Sequence, residues 1–146
     1  MNLKDLLDES CIDMNLPLKS KAEVFDTMIH HLYEAGIIQN ENQFRQAVEY
    51  RETLSETGLE DGVAIPHGVD ECVNRAAISY IRLKEPIEWE SMDGKPIQHI
   101  FLMAIPANGD KTHIKMLSEL AMMLIRKEAR EALNEIQSPQ QLYEIL

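Results

Sequence analysis

A chain of 146 residues is the length of one domain, enough to bury a substantial core and too short for two ordinary domains. With 25 Asp and Glu against 14 Lys and Arg, the formal net charge of −11 excludes a nucleic-acid surface and a polybasic membrane patch, and suits a basic protein face as partner. Cys11 and Cys72 form no CxxC pair, the start "MNLKDLLDES" does not read as a leader, and no apolar run approaches the roughly 20 residues that span a bilayer. A soluble, cytoplasmic protein with no membrane insertion is expected.

Along the chain, a short opening helix and the alternating "CIDMNL" come first. Ser20 then precedes Glu23 by three residues, the spacing of a capping box. Phe25, Met28, Ile29 and Leu32 follow at helical spacing until Gly36, which predicts a helix of about four turns with His30 and His31 both facing solvent. Asn40 is the expected N-cap of a second helix whose apolar stripe is Phe44, Ala47 and Val48. Arg51 is the next position on that stripe and therefore points inward near the helix end. Two readings are open for it: a snorkelling arginine helped by the helix dipole, or an anion clamp.

From Gly58 the pattern changes to strands: "VAIP" at 63–66, "AAISYIRL" at 76–83 and "IQHIFLMAIP" at 97–106. Their nearly continuous apolar character predicts a sheet covered on both faces. "KEPIEWESMDGKP" between the last two reads as an exposed connection with Trp89 packed beneath it, and His99, inside a strand, as a hydrogen-bonded structural residue. After "PANGDKT", a helix is predicted with Ile114, Leu117, Leu120, Ala121, Leu124 and Ile125 on one buried stripe. His113 falls on the same face at its first turn. Ser138 and Pro139 open a final helix that runs to Leu146. Helices before, between and after strands predict an α/β sandwich: a single domain over 1–146, with a mixed, mostly parallel sheet of about five strands and helices on both faces.

His67 and His113 both follow predicted strand ends, where open α/β sheets place their ligand sites, so one crevice can hold both. Pro66 fixes its own φ, and Gly68 is expected to let the backbone leave at an angle closed to other residues. Together they would hold the imidazole of His67 in one orientation. A nucleophilic histidine needs this, with one ring nitrogen neutral and exposed and the other bonded to a fixed acceptor. His113, at a helix N-terminus, would favour a nearby anion. A turn histidine remains the other reading of His67, and a bare Pro-His-Gly does not choose between them. Two further chemistries compete: a three-histidine metal set of His67, His99 and His113, which lacks any HxH or HExxH spacing, and a thiol enzyme using Cys72, which lacks an activating neighbour.

"RETLSETGLEDGVAIPHG" at 51–68, "IRLKEPIEWESMDGKPIQHIFLMAIP", "HIKMLSELAMML" and the closing "SPQQLYEIL" together resemble the enzyme IIA domains of the fructose/mannitol class of the bacterial phosphoenolpyruvate-dependent sugar phosphotransferase system. The resemblance covers essentially the whole chain, and four ordered segments are far more specific than any single motif. It implies that His67 accepts a phosphoryl group on Nε2 from the phosphocarrier HPr and passes it to a cysteine of enzyme IIB, expected here on a separate chain. It also implies that Arg51 and His113 support phosphoryl binding, with no cofactor or metal. The nitrogen-related IIA paralogues, whose phosphorylation changes which protein is bound, are the alternative within the same resemblance. Glu52 matches the pattern with no role that its position explains, and the roles of His99 and Cys72 are equally unassigned by it.

Overall fold

The computed structural model describes residues 3–108 and 111–146. α1 (Leu3–Leu6) leads directly into β1 (Leu7–Leu16), and α2 (Lys21–Glu34) and α3 (Glu41–Leu54) follow. Both longer helices begin where the sequence says they should. Ser20 Oγ accepts the Glu23 N–H at 3.1 Å and Asn40 Oδ1 accepts the Gln43 N–H at 2.9 Å, caps worth about 1 kcal/mol each. Val24, Phe25, Met28, Ile29 and Leu32 form the buried stripe of α2, and Phe44 and Val48 that of α3.

The strands are β2 (Val63–Ala64), β3 (His67–Asp70), β4 (Ala77–Ile87) and β5 (Ile97–Pro106). They form one five-stranded sheet in which β1 runs parallel to β4, β4 antiparallel to β5, and β5 parallel to both β2 and β3. The mixed, mostly parallel sheet expected from the sequence is therefore present. α4 (Lys111–Ile125), α5 (Lys127–Leu133) and α6 (Pro139–Ile145) complete the chain. No helix among the described residues is long and apolar enough to cross a membrane.

Period-2 alternation along β5 divides the core in two. Ile100, Leu102 and Ala104 pack with α2 and α3, whereas Phe101, Met103 and Ile105 pack with Leu120 and Leu124 of α4, Leu133 of α5 and Leu142 of α6. Helices thus cover both faces. Trp89 is buried beneath its loop, edge-on to Phe25 at 5.6 Å between ring centroids.

Several sequence expectations change here. "VAIP" is not one strand: pairing with β5 lapses at Ile65–Pro66 and resumes at His67, so His67 opens β3 instead of following a strand. Gly68 is not among the positive-φ glycines, which are Gly36, Gly62 and Gly94. Its reason is space, because a Cβ there would stand 3.0 Å from the side chains of both Phe44 and Val48. On α4, Leu120 and Leu124 are buried, but Ile114 and Ile125 are 53% and 62% exposed; the helix presents a narrower face to the sheet than its apolar content suggests. His30 is exposed as expected, between Glu34 at 3.4 Å and Glu41 at 3.2 Å. His31 is half-buried, with Nδ1 unpartnered among the described residues and burial pushing its pKa down.

Candidate functional site

β3 lies at the sheet edge against α3, with Gly68 turned toward Phe44 and Val48. Successive strand side chains point to opposite faces, so His67 is directed toward the α4 side. The backbone leading into it is pinned at two consecutive residues: the Ile65 N–H donates to Thr57 O at 3.0 Å, and the Met103 N–H donates to Pro66 O at 3.0 Å.

The imidazole makes two hydrogen bonds that fix its tautomer. Arg51 Nε donates to His67 Nε2 at 3.1 Å, and a guanidinium has no lone pair to offer in return. Nε2 is therefore the unprotonated nitrogen, and Nδ1–H donates to the Ile65 carbonyl at 3.0 Å. Burial pushes the His67 pKa below its ordinary value of 6.5. The Ile65 carbonyl raises it, the Arg51 charge lowers it and the Glu52 charge raises it, with lowering the net direction. At neutral pH the ring is uncharged with its lone pair on Nε2, the form a nucleophile requires.

Arg51 is on the last turn of α3, as its stripe position indicates, and Nη1 also donates to the Ser55 carbonyl at 3.1 Å and Ser55 Oγ at 3.3 Å. Among the described residues Nη2 makes no hydrogen bond, and it sits on the same guanidinium that meets His67 Nε2. His113 stands on the first turn of α4, on the side of the sheet toward which His67 is directed. It is half-buried, and its Nδ1 is shielded from solvent with no hydrogen-bond partner among the described residues. A buried polar atom without a partner is uncommon and costs stability unless something meets it.

His99 belongs elsewhere. It is 1% exposed, accepts the Tyr80 hydroxyl on Nδ1 at 2.8 Å and donates from Nε2 to Asn134 Oδ1 at 2.9 Å, the hydrogen-bonded structural state its strand position implied. Both nitrogens are spent, so the set of His67, His99 and His113 does not converge as metal ligands. Among the described residues no group of three His, Cys, Asp or Glu is placed to hold a metal ion. Cys72 is buried, with its thiol pushed up to about 12 by burial and by Asp70, the opposite of an activated nucleophile.

Two features of the surroundings escape sequence reading. Glu52 is clamped by Lys21 Nζ at 2.8 Å and by a short hydrogen bond from Thr57 Oγ1. On the same elements that carry Arg51, His67 and His113, Tyr50 and Leu54 on α3, Val69 on β3 and Ile114 on α4 are large apolar side chains left exposed.

The chain matches the family model described as "Phosphoenolpyruvate-dependent sugar phosphotransferase system, EIIA 2" over residues 5–146. It belongs to that family. The fructose-specific EIIABC component of Bacillus subtilis (strain 168) is 34% identical over 146 residues, covering 100% of this chain but only 23% of that protein. This chain thus spans under a quarter of the length of that relative. The crystal structure of nitrogen regulatory protein IIA-Ntr from Neisseria meningitidis superposes with a TM-score of 0.88 at 32% identity, covering 97% of each chain. The complex of enzyme IIAMTL and phosphorylated enzyme IIBMTL from Escherichia coli shares the fold, with a TM-score of 0.78 at 20% identity over 96% of this chain and 97% of that one.

Proposed function

We propose that the protein is a phosphoryl carrier of the bacterial phosphotransferase system, taking a phosphoryl group from HPr onto Nε2 of His67 and passing it to an enzyme IIB cysteine that serves sugar uptake. The observation that carries this reading is the tautomer: Nδ1–H is committed to the Ile65 carbonyl and the Nε2 lone pair faces the Arg51 guanidinium. In the first step that lone pair attacks the phosphorus of phospho-HPr in line. A new N–P bond forms as the old one breaks, and the departing electron pair returns to the donor histidine. In the second step a cysteine thiolate attacks the same phosphorus and the pair returns to Nε2.

Arg51 gives up its bond to Nε2 as the phosphoryl group arrives and turns the same N–H groups onto the phosphoryl oxygens. His113 assists from the α4 side with its unpartnered ring, so charge that spreads over those oxygens meets donors already in place. No nucleotide or metal takes part. The exposed side chains of Tyr50, Leu54, Val69 and Ile114 supply an apolar rim that a docked partner covers, excluding water from the reacting atoms. HPr and enzyme IIB use the same rim and therefore dock in succession. The net charge of −11 steers a basic partner face, and association weakens as salt rises. The IIAMTL complex, named for its phosphorylated IIBMTL, supports a IIB protein as the second partner. On this reading the chain works in the cytoplasm.

The test is incubation with phosphoenolpyruvate, enzyme I and HPr, followed by intact mass under mild base and under acid. One acid-labile phosphoryl group on the wild type and none on His67→Ala supports the reading. Full uptake by His67→Ala defeats it. A second reading, a regulatory IIA whose phosphorylation controls binding to other proteins, has a specific observation behind it in the 0.88 TM-score and near-complete mutual coverage with the Neisseria protein. Transfer from the phosphorylated chain to a purified IIB domain supports the transport reading; stable phospho-protein that instead changes its affinity for a non-transport protein supports regulation.

A further inference from the structure

Glu52 is the charged residue of this region whose position in the sequence explains nothing, yet both of its carboxylate oxygens are in use. Oε2 meets Nζ of Lys21, the first residue of α2, at 2.8 Å, and Oε1 receives the Thr57 hydroxyl. The pair is sheltered: the Glu52 side chain is 10% exposed and Thr57 only 3%. From Thr57 the connection continues through backbone. Its carbonyl accepts the Ile65 N–H at 3.0 Å, and the Ile65 carbonyl accepts His67 Nδ1–H at 3.0 Å. Pro66 restricts the torsion that aims this carbonyl, because a residue before proline is held in the extended region.

On the phosphoryl-transfer reading above, we infer that Glu52 and Thr57 are positioning residues: the Lys21–Glu52–Thr57 tie holds the segment that aims the Ile65 carbonyl, and this carbonyl, together with the Arg51 bond to Nε2, sets which nitrogen of His67 is the nucleophile. The two residues do not touch the phosphoryl group. They act through Ile65. An imidazole released from its Nδ1 acceptor exchanges tautomers and turns about its side-chain bonds, and each departure from in-line geometry lowers the rate. The adjacency of Arg51 and Glu52 has a matching logic. One residue at the end of α3 addresses Nε2 directly, and the next addresses Nδ1 through two further residues, Thr57 and Ile65, so a single helix end grips both sides of one ring.

The experiment compares Thr57→Val, Thr57→Ser, Glu52→Ala and Glu52→Gln by nitrogen-15 NMR of the unphosphorylated His67 ring, by the rate of phosphoryl uptake from phospho-HPr and by thermal melting. Thr57→Val and Glu52→Ala are expected to move the ring from the Nδ1–H form toward a mixture with the Nε2–H form and to slow uptake at least about tenfold. Thr57→Ser and Glu52→Gln retain the side-chain hydrogen bond and are expected to restore the tautomer and most of the rate. If Thr57→Val does not fold, Glu52→Ala carries the comparison from the partly solvated end of the tie. A wild-type tautomer ratio in the folded disruptive variant, or a loss of rate that serine and glutamine do not rescue, overturns the inference. Failure of the wild type to take phosphoryl from HPr overturns the carrier function instead, and the tautomer comparison on the unphosphorylated chain separates the two.

Discussion

His67 and His99 are two histidines of one sheet, both drawn below their ordinary pKa by burial and both bonded through each ring nitrogen. They differ in who holds them. His99 lies between Tyr80 and Asn134, two neutral side chains packed into place, and at 1% exposure nothing can approach it. His67 is half-exposed on an edge strand, and the group on its free nitrogen is a long cationic side chain that can turn aside. If His67 carries the phosphoryl group as proposed, burial alone does not distinguish a working histidine from a structural one. The distinction is whether the partner of the lone pair can leave, and whether it is useful once it has.

The comparison can be broken by exchanging what each histidine loses. The largest expected effect is complete loss of the phosphoryl group in His67→Ala, measured by intact mass, with a melting temperature close to wild type. Arg51→Ala is next: uptake from phospho-HPr should slow about 100-fold, the size of removing one preorganised donor, and Arg51→Lys should recover only part because it lacks the planar fork. In the opposite sense, His99→Ala should cost about 3 kcal/mol by denaturant titration, leaving the Tyr80 hydroxyl buried without its partner beside a new cavity, while the folded fraction is phosphorylated at the normal rate. Equal damage to both properties by either histidine substitution would erase the distinction.

Acid sharpens it further. Because His31, His67 and His99 bind protons more weakly folded than unfolded, their contribution to stability is complete above about 6.5 and is lost as pH falls below that value. Denaturant midpoints should thus fall between pH 7 and pH 5. Uptake by His67 should hold as pH drops through 6.5 and decline only below its depressed pKa, and a profile centred on 6.5 would count against its buried setting. The smallest effect is expected from Leu54→Ser, within about 0.5 kcal/mol of wild type in stability because the side chain is already 62% exposed, but with weaker association between the chain and HPr by light scattering or calorimetry.

Much of this was legible in the chain itself. Side-chain caps at Ser20 and Asn40, the stripe of α2, the length of β5 and the inward position of Arg51 depend on neighbours within one helix or strand, and local spacing reports them. The split between β2 and β3 was not legible, because it depends on whether each residue meets β5 and "VAIP" has the composition of a strand throughout. Nor was the short α5, or the outward turn of Ile114 and Ile125, which depends on how α4 is rotated against the sheet. Glu52 was opaque for the same reason: Lys21 stands 31 positions away along the chain, and no local pattern announces their meeting.

Gly68 sets one last condition on the site. Arg51 and His67 belong to different elements, and those elements meet where a bare strand backbone rests against Phe44 and Val48. Contact there works as a gauge with no shim: a single added methyl group would lift the strand from the helix by tenths of an ångström, and the clearance across which guanidinium and imidazole meet would drift with it. The alignment of guanidinium and imidazole is thus machined into an atom the chain does without.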